Sequence, residues 1–267
     1  MLPGDALELE VLPASPDAPY TARAASGELR ARGPHHWRWT APQAPGLYPI
    51  TLRPAAGADS IRLNAFVMVP FDRLNGESLN GYRIGRYPSA PLRGLPIYRA
   101  PRGFVEVTRE NAHTLVAPNF TLAQFLCKQQ PGHDPKYVVL QESLLLKLEA
   151  ILERVNERGH RARTFQILSG YRTPSYNRAI GNVTYSRHAW GDAADIFIDE
   201  DGDGLMDDLN GDGKIDERDA AVLHGVIDAL SQERWYRPLL GGLGRYGTTK
   251  NHGPFVHIDA RGTRARW

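Results

Sequence analysis

Two short segments carry the side-chain types that hold a divalent metal ion: Ser186-Arg187-His188-Ala189-Trp190-Gly191-Asp192-Ala193-Ala194-Asp195-Ile196-Phe197-Ile198 and Phe255-Val256-His257-Ile258-Asp259. Two imidazoles and one carboxylate around zinc leave a fourth position for water, the arrangement of a catalytic rather than a structural site. In the second segment Val256 and Ile258 alternate with Phe255, His257 and Asp259, so one strand face is aliphatic and the other presents a ligand. In the first, Ile196 and Ile198 take one face and leave Asp195 and Phe197 on the other. If the two strands are antiparallel neighbours with their aliphatic faces buried together, Asp195 and His257 project to the same side, and His188 completes the set across a glycine-containing turn. The His-x6-Asp spacing alone carries little weight, because isolated histidines more often serve core or surface.

A second constellation is acidic. Residues 192–219 hold 12 acidic and 2 basic side chains, which leaves 30 basic against 18 acidic elsewhere in a chain of formal net charge +2. Counting Asp208 as position 1, oxygen ligands fall at 1, 3 and 5 (Asp208, Asn210, Asp212), with Gly213 at the sharp turn. The Lys214 carbonyl follows at 7, Asp216 at 9 and Asp219 at 12. This is an EF-hand or dockerin-like calcium loop, with an aspartate where the longer glutamate usually closes the ring. An overlapping partial loop begins at Asp199 and continues through Asp201, Asp203, Gly204 and Asp207, with Asn210 where a carboxylate is wanted; it is a candidate second calcium site. Crowded carboxylates repel one another, so a bound cation is expected to order the insertion 199–219.

These donors need elements to position them. Leu144, Leu148, Ile151, Leu152 and Val155 form one stripe of an amphipathic helix near 138–157, which Gly159 stops. Phe165-Gln166-Ile167-Leu168 reads as a strand, Thr173-Pro174 opens a short helix that Gly181 ends, and a last helix covers roughly 219–231. Thr121 and Gln124 form a capping box that opens a short helix through Phe125, Leu126 and Cys127. Cys127, the single cysteine, reads as a small buried hydrophobe. It excludes an intrachain disulfide and a multi-cysteine zinc cluster.

Residues 1–72 read differently, as short extended runs such as Ala6–Leu12 and Ile61–Val69 separated by Pro and Gly. Trp37, Trp39 and Tyr48 lie in a pattern that resembles the turn and Tyr-bearing strand of immunoglobulin-like sandwiches, in which the phenol bonds back to backbone. They are expected as core and corner residues rather than a carbohydrate platform. Residues 73–112, rich in Gly, Pro, Arg and Tyr, read as a linker packing on the domains. The expected fold class is therefore α+β over 113–267, an antiparallel sheet with flanking helices, preceded by a small all-β immunoglobulin-like sandwich.

At 267 residues the chain has room for about two domains at roughly 150 residues each. Its 42% hydrophobic and 23% charged residues are those of globular protein, and no run approaches the ~18 apolar residues of a membrane span. No nucleic-acid motif is present. The opening Met1-Leu2-Pro3-Gly4-Asp5 has neither a basic leader nor an apolar core, so the protein is either cytosolic or has had a signal peptide removed.

Ser186-x-His188-x-x-Gly191-x-Ala193-x-Asp195, Val256-His257-Ile258-Asp259 and Ser169-Gly170-Tyr171-Arg172 together resemble the zinc D-Ala-D-Ala metallopeptidase family, the lysostaphin, carboxypeptidase and hedgehog-like group. The nearest likeness is to its murein endopeptidase K-like branch, and it covers about 113–267. The resemblance implies that His188, Asp195 and His257 bind zinc and that Arg172 and Ser186 engage substrate. It leaves the general base open. Some relatives place a glutamate three residues before the last His ligand, where this chain has Pro254; others place a histidine two before, where it has Phe255. His252, five before, is the expected base, with Asp192 and Asp259 as substitutes.

The function expected is zinc-dependent hydrolysis of peptide bonds in peptidoglycan stem peptides or cross-links. The alternative is a non-catalytic cell-wall-binding module that keeps zinc and calcium but lacks a working base. A basic surface suits an anionic wall, and calcium suits a periplasmic or secreted monomer whose leader is absent from this sequence.

Overall fold

The structure is a computed structural model that describes residues 1–12, 18–55 and 60–267. The chain divides into two compact units: Met1–Leu74 with Pro101–Glu106, and Asn75–Ala100 with Val107–Trp267. The segment 73–112, expected as a linker, thus contributes residues to each unit.

In the first unit the period-2 runs become strands β1 (Ala6–Glu10), β2 (Tyr20–Ala24), β3 (Glu28–Gly33), β4 (His36–Thr40), β5 (Gly46–Pro54) and β6 (Ile61–Val67). They form two antiparallel three-stranded sheets, ordered β1-β4-β3 and β2-β5-β6. Leu9, Val11, Trp37, Trp39, Ile50, Leu52 and Val67 close a core, while Arg38, between the two tryptophans, stays outside. The Trp39 indole donates to the Ser26 carbonyl at 2.8 Å. The Tyr48 hydroxyl donates back to the Ala44 carbonyl at 3.0 Å.

The second unit is α+β. Helix α1 (Glu142–Glu157) precedes β7 (Gln166–Ser169), α2 (Pro174–Ala179) and β8 (Ala193–Phe197). After the acidic insertion come α3 (Glu217–Leu230), β9 (Gly242–Tyr246), β10 (Phe255–Asp259) and β11 (Ala265–Arg266). The five strands form one sheet in the order β7-β8-β10-β9-β11. Strand β8 is antiparallel to both β7 and β10, and β11 joins parallel to β9.

The apolar stripe of α1 is fully buried, at Leu144, Leu148, Ile151, Leu152 and Val155. The helix begins at Glu142, later than the apolar run suggests, because Lys136–Val138 is a strand and the Gln141 amide is spent on the Gly191 carbonyl at 2.9 Å. Thr173 caps α2 by accepting from the Tyr176 amide at 3.1 Å. The Thr121/Gln124 capping box forms, but the turn it opens is a 3-10 turn over Leu122–Phe125. Cys127 lies beyond it and is buried. Helix α3 starts at Glu217 rather than 219 because Asp216 is its N-cap and Asp219 its third residue, in a reciprocal capping box.

Candidate metal centre

His188 sits in a 3-10 turn, Arg187–Trp190, that ends at Gly191 with φ +71°. A Cβ there would stand 2.1 Å from the Val139 carbonyl oxygen, so glycine alone lets the turn pass under that backbone and enter β8. Two residues into β8, Asp195 pairs directly with His257 of β10, in the register Ala193↔Asp259, Ala194↔Ile258, Asp195↔His257. Directly opposed residues of antiparallel strands share a face, so both donors point to one side.

The three side chains meet. His257 Nδ1 lies 2.8 Å from Asp195 Oδ1 and 3.2 Å from His188 Nε2, and His188 Nε2 lies 3.3 Å from Asp195 Oδ1. Tetrahedral zinc with bonds of about 2.0–2.1 Å separates its ligand atoms by about 3.3–3.4 Å, so this donor triangle is compatible with the ion. Residues 118–207 match the family model Peptidase M15. M15 peptidases bind zinc, and the matched stretch holds Arg172, Ser186, His188 and Asp195; His257 lies beyond it. No curated protein matches the chain.

Around the trio the outer hydrogen bonds fix orientation. His188 Nδ1 donates to the Gly170 carbonyl at 2.7 Å, which leaves the Nε2 lone pair for the centre. His257 Nε2 is 3.6 Å from Asp259 Oδ2. Asp259 in turn accepts from Arg261 Nε at 2.8 and 2.9 Å and from the Gly242 amide at 2.9 Å. Burial opposes ionisation of Asp259, yet the nearby His257 imidazole and the bonds from Arg261 and Gly242 hold its carboxyl far below the usual range. Asp195 follows the same logic: burial raises it, and the two imidazoles overcome burial to keep it anionic. Burial lowers His188, whereas for His257 the carboxylates of Asp195 and Asp259 overcome burial and raise it.

Arg172, which the resemblance assigns to substrate, is engaged within the protein. Its Nη2 donates to Asp195 Oδ2, its Nε to Ser169 Oγ at 2.7 Å and its amide to the His188 carbonyl at 3.1 Å. It therefore holds the carboxylate oxygen that faces away from the imidazoles, while one edge still lines the cleft. Arg187 and Asp192 form a second buried pair behind the turn, with Nε donating at 2.9 and 3.1 Å, and Arg187 also reaches the Ile97 carbonyl at 2.9 Å.

The trio opens into a cleft of about 1310 Å³ whose walls include Ser169, Arg172, Ser186, His252, Phe255 and Trp267. His252 is on that wall. Its Nδ1 donates to the Gly253 carbonyl at 2.8 Å, so the lone pair is on Nε2, and its ring stands edge-on to Phe255 at 4.9 Å. Asp192 and Asp259, the substitutes considered for the base, are buried and bound to Arg187 and Arg261. Asp195 is the single carboxylate among the described residues of the cleft wall.

The acidic insertion folds as two loops of the same construction. Asp199 accepts from the amides of Gly202 and Gly204 at 2.8 and 3.1 Å, as Asp208 does from Gly211 and Gly213 at 2.8 and 2.7 Å. Asp201 and Asn210 accept from the amides two residues on, Asp203 and Asp212, and those two accept from Leu205 and Lys214. Carboxylate oxygens of Asp199, Asp201 and Asp203 lie within 4.8 Å of one another. Asp207 accepts from the Glu200 amide at 3.1 Å. Asp216 accepts from the Arg218 amide, and Asp219 from the amides of Asp216 and Asn210 at 2.8 and 3.2 Å.

Two contributors escape a reading by motif. Lys147 lies on the apolar stripe of α1, is buried, and donates to the Asp259 carbonyl at 2.7 Å. A lysine three residues after Leu144 and four before Ile151 was its signal. Trp267 lines the cleft beside His257, and the alternation Gly242-x-Gly244 was the trace of the room it needs.

Proposed function

We propose that the protein is a zinc peptidase that cleaves peptide bonds of peptidoglycan stem peptides or cross-links, in the manner of murein endopeptidase K-like enzymes. The convergence of His188 Nε2, Asp195 Oδ1 and His257 Nδ1 at the floor of an open cleft carries this reading. Zinc bound there supplies a Lewis acid and lowers the pKa of a bound water to about 7. His252 takes the proton from the attacking water at Nε2 and returns it to the leaving amine. Arg172 keeps Asp195 oriented through Oδ2 and directs its remaining edge, with Ser186, toward the substrate carbonyl or carboxylate. The attack forms a C–O bond, breaks the C–N bond, and leaves one carboxylate and one amine.

The acidic loops are calcium sites in this proposal: Asp208, Asn210, Asp212, Lys214 O, Asp216 and Asp219 in one, with Asp199, Asp201, Asp203 and Asp207 in the other. Asp199 follows Asp195 by four residues, so calcium stiffens the end of β8. The first unit is an immunoglobulin-like domain that helps place the enzyme on the wall, and the setting is periplasmic or secreted.

Incubating purified sacculi with zinc-loaded protein tests the reaction. Release of soluble muropeptides is expected, and zinc-replete His252→Ala should lose most turnover. Binding without release would make the protein a wall-binding module. Chelating calcium while zinc is kept should lower both melting temperature and activity; unchanged values would remove calcium from the account.

A further inference from the structure

The cleft has one wall of contiguous rings. Trp267 stands 5.3 Å from the His257 imidazole and donates from Nε1 to the Tyr246 hydroxyl at 2.6 Å. Tyr246 is stacked on Phe255 at 4.7 Å with 10° between planes, and Phe255 meets His252 edge-on at 4.9 Å. The rings therefore run without a break from a metal-binding candidate to the candidate base.

The indole has a built seat. Strand β11 pairs parallel to β9 in the register Gly242↔Ala265 and Leu243↔Arg266, which brings Trp267 over the face of β9 that Gly242 and Gly244 leave bare. A Cβ at Gly244 would lie 2.3 Å from the indole Nε1, and one at Gly242 would lie 2.8 Å from its Cη2. Yet Trp267 is 51% exposed and lines the cleft. A ring fixed on one side and open on the other loses little side-chain freedom when a ligand packs on it, which is the property of an aromatic anchor. Arg261, whose guanidinium stands 5.6 Å from the indole centroid over the ring, is itself held by Asp259 and so is fixed beside the platform.

We propose that Trp267 is a substrate-binding platform, the flat aromatic seat for the aliphatic side chain of the peptide residue next to the bond presented to His188, Asp195 and His257. This rests on the peptidase reading above. The competing role for the same ring is to steady the His257 imidazole without touching substrate.

Kinetics of Trp267→Ala, Trp267→Phe and Gly244→Val, whose new side chain displaces the intact indole, separate the two on a stem peptide ending in two D-alanines. The platform predicts a KM raised at least about tenfold in Trp267→Ala and Gly244→Val, roughly 1.4 kcal/mol for a truncated Trp anchor. It also predicts kcat within about threefold of wild type, recovery in Trp267→Phe, and unchanged zinc affinity by chelator competition. Weaker zinc binding or a fallen kcat with KM unchanged would overturn it in favour of the steadying role. Should the wild type cleave no stem peptide, the peptidase reading fails by itself. Tryptophan emission then decides the platform: a peptide-dependent change seen in wild type and missing in Trp267→Phe supports it, and no change in wild type refutes it.

Discussion

Replacing Lys147 by methionine keeps the length of the side chain and removes its charge, and the structure sets how the loss should depend on pH. Lys147 is 2% exposed on the inner face of α1, and burial brings its ammonium down from 10.5 to about 8 despite the nearby Asp259 carboxylate. The difference, 10.5 less about 8, is roughly 2.5 pH units, or on the order of 3 kcal/mol at about 1.36 kcal/mol per unit. Below pH 8 the lysine is protonated in both folded and unfolded chains, so the full penalty weighs on the fold. As pH rises from about 8 to 10.5 the folded protein releases this proton ahead of the unfolded chain. The unfolded chain then binds more protons, and stability rises with pH. Methionine has no such titration. It also loses the 2.7 Å bond to the Asp259 carbonyl, a cost of roughly 1–3 kcal/mol for an orphaned buried acceptor. Near pH 7 the relief from desolvation offsets that loss, and the two proteins should be of similar stability. By pH 10 the wild type should lead by about 2–3 kcal/mol. The buried phenols of Tyr87 and Tyr171, raised above their ordinary range by burial, pull stability the other way above pH 10, but they are common to both proteins and cancel in the difference. Urea denaturation of both at matched metal content, from about pH 7 to 10, measures it. Parallel stability curves across that range would refute the reasoning.

Three further outcomes follow from close contacts at the site. Gly191→Ala forces a Cβ to 2.1 Å from the Val139 carbonyl at φ +71°, and should cost more than about 2 kcal/mol together with most bound zinc; a wild-type melting temperature and metal content would contradict this. Arg187→Met leaves Asp192 buried without its cation, at about 3–5 kcal/mol by urea denaturation, and the double variant with Asp192→Asn should recover part of it; full stability of the single variant would show the pair to be dispensable. Arg172→Ala frees Asp195 Oδ2 and should weaken zinc binding about 10–100-fold in chelator competition, whereas a residue that met substrate alone would leave the affinity unchanged.

What could be read from the chain beforehand divides along a physical line. The period-2 segments around Asp195 and His257 carry their own facing information: aliphatic residues at alternate positions state which side is buried, and the observed register opposes Asp195 and His257. Gly191 likewise announces a turn. Helix α1 was legible from its stripe, but its start was not, because the Gln141 amide is claimed by Gly191, a partner fifty residues on. The start of α3 was misplaced for the opposite reason, a local competition: the same Asp216 and Asp219 that fit a calcium loop also fit a helix cap. Arg172 shows the limit for charged residues. A guanidinium near a metal motif can serve substrate or a ligand's far oxygen, and composition does not show the second role; the separate bonds from Arg172 Nε to Ser169 and from Nη2 to Asp195 Oδ2 do. Trp267 marks the same limit for aromatics. Gly242 and Gly244 record a vacancy on β9, but which side chain fills it depends on β11 folding back parallel to β9, a pairing that no local periodicity encodes. Residues that ligate are therefore easier to find in sequence than residues that orient or receive, because a ligand set is constrained by its own chemistry and a supporting shell only by the fold around it.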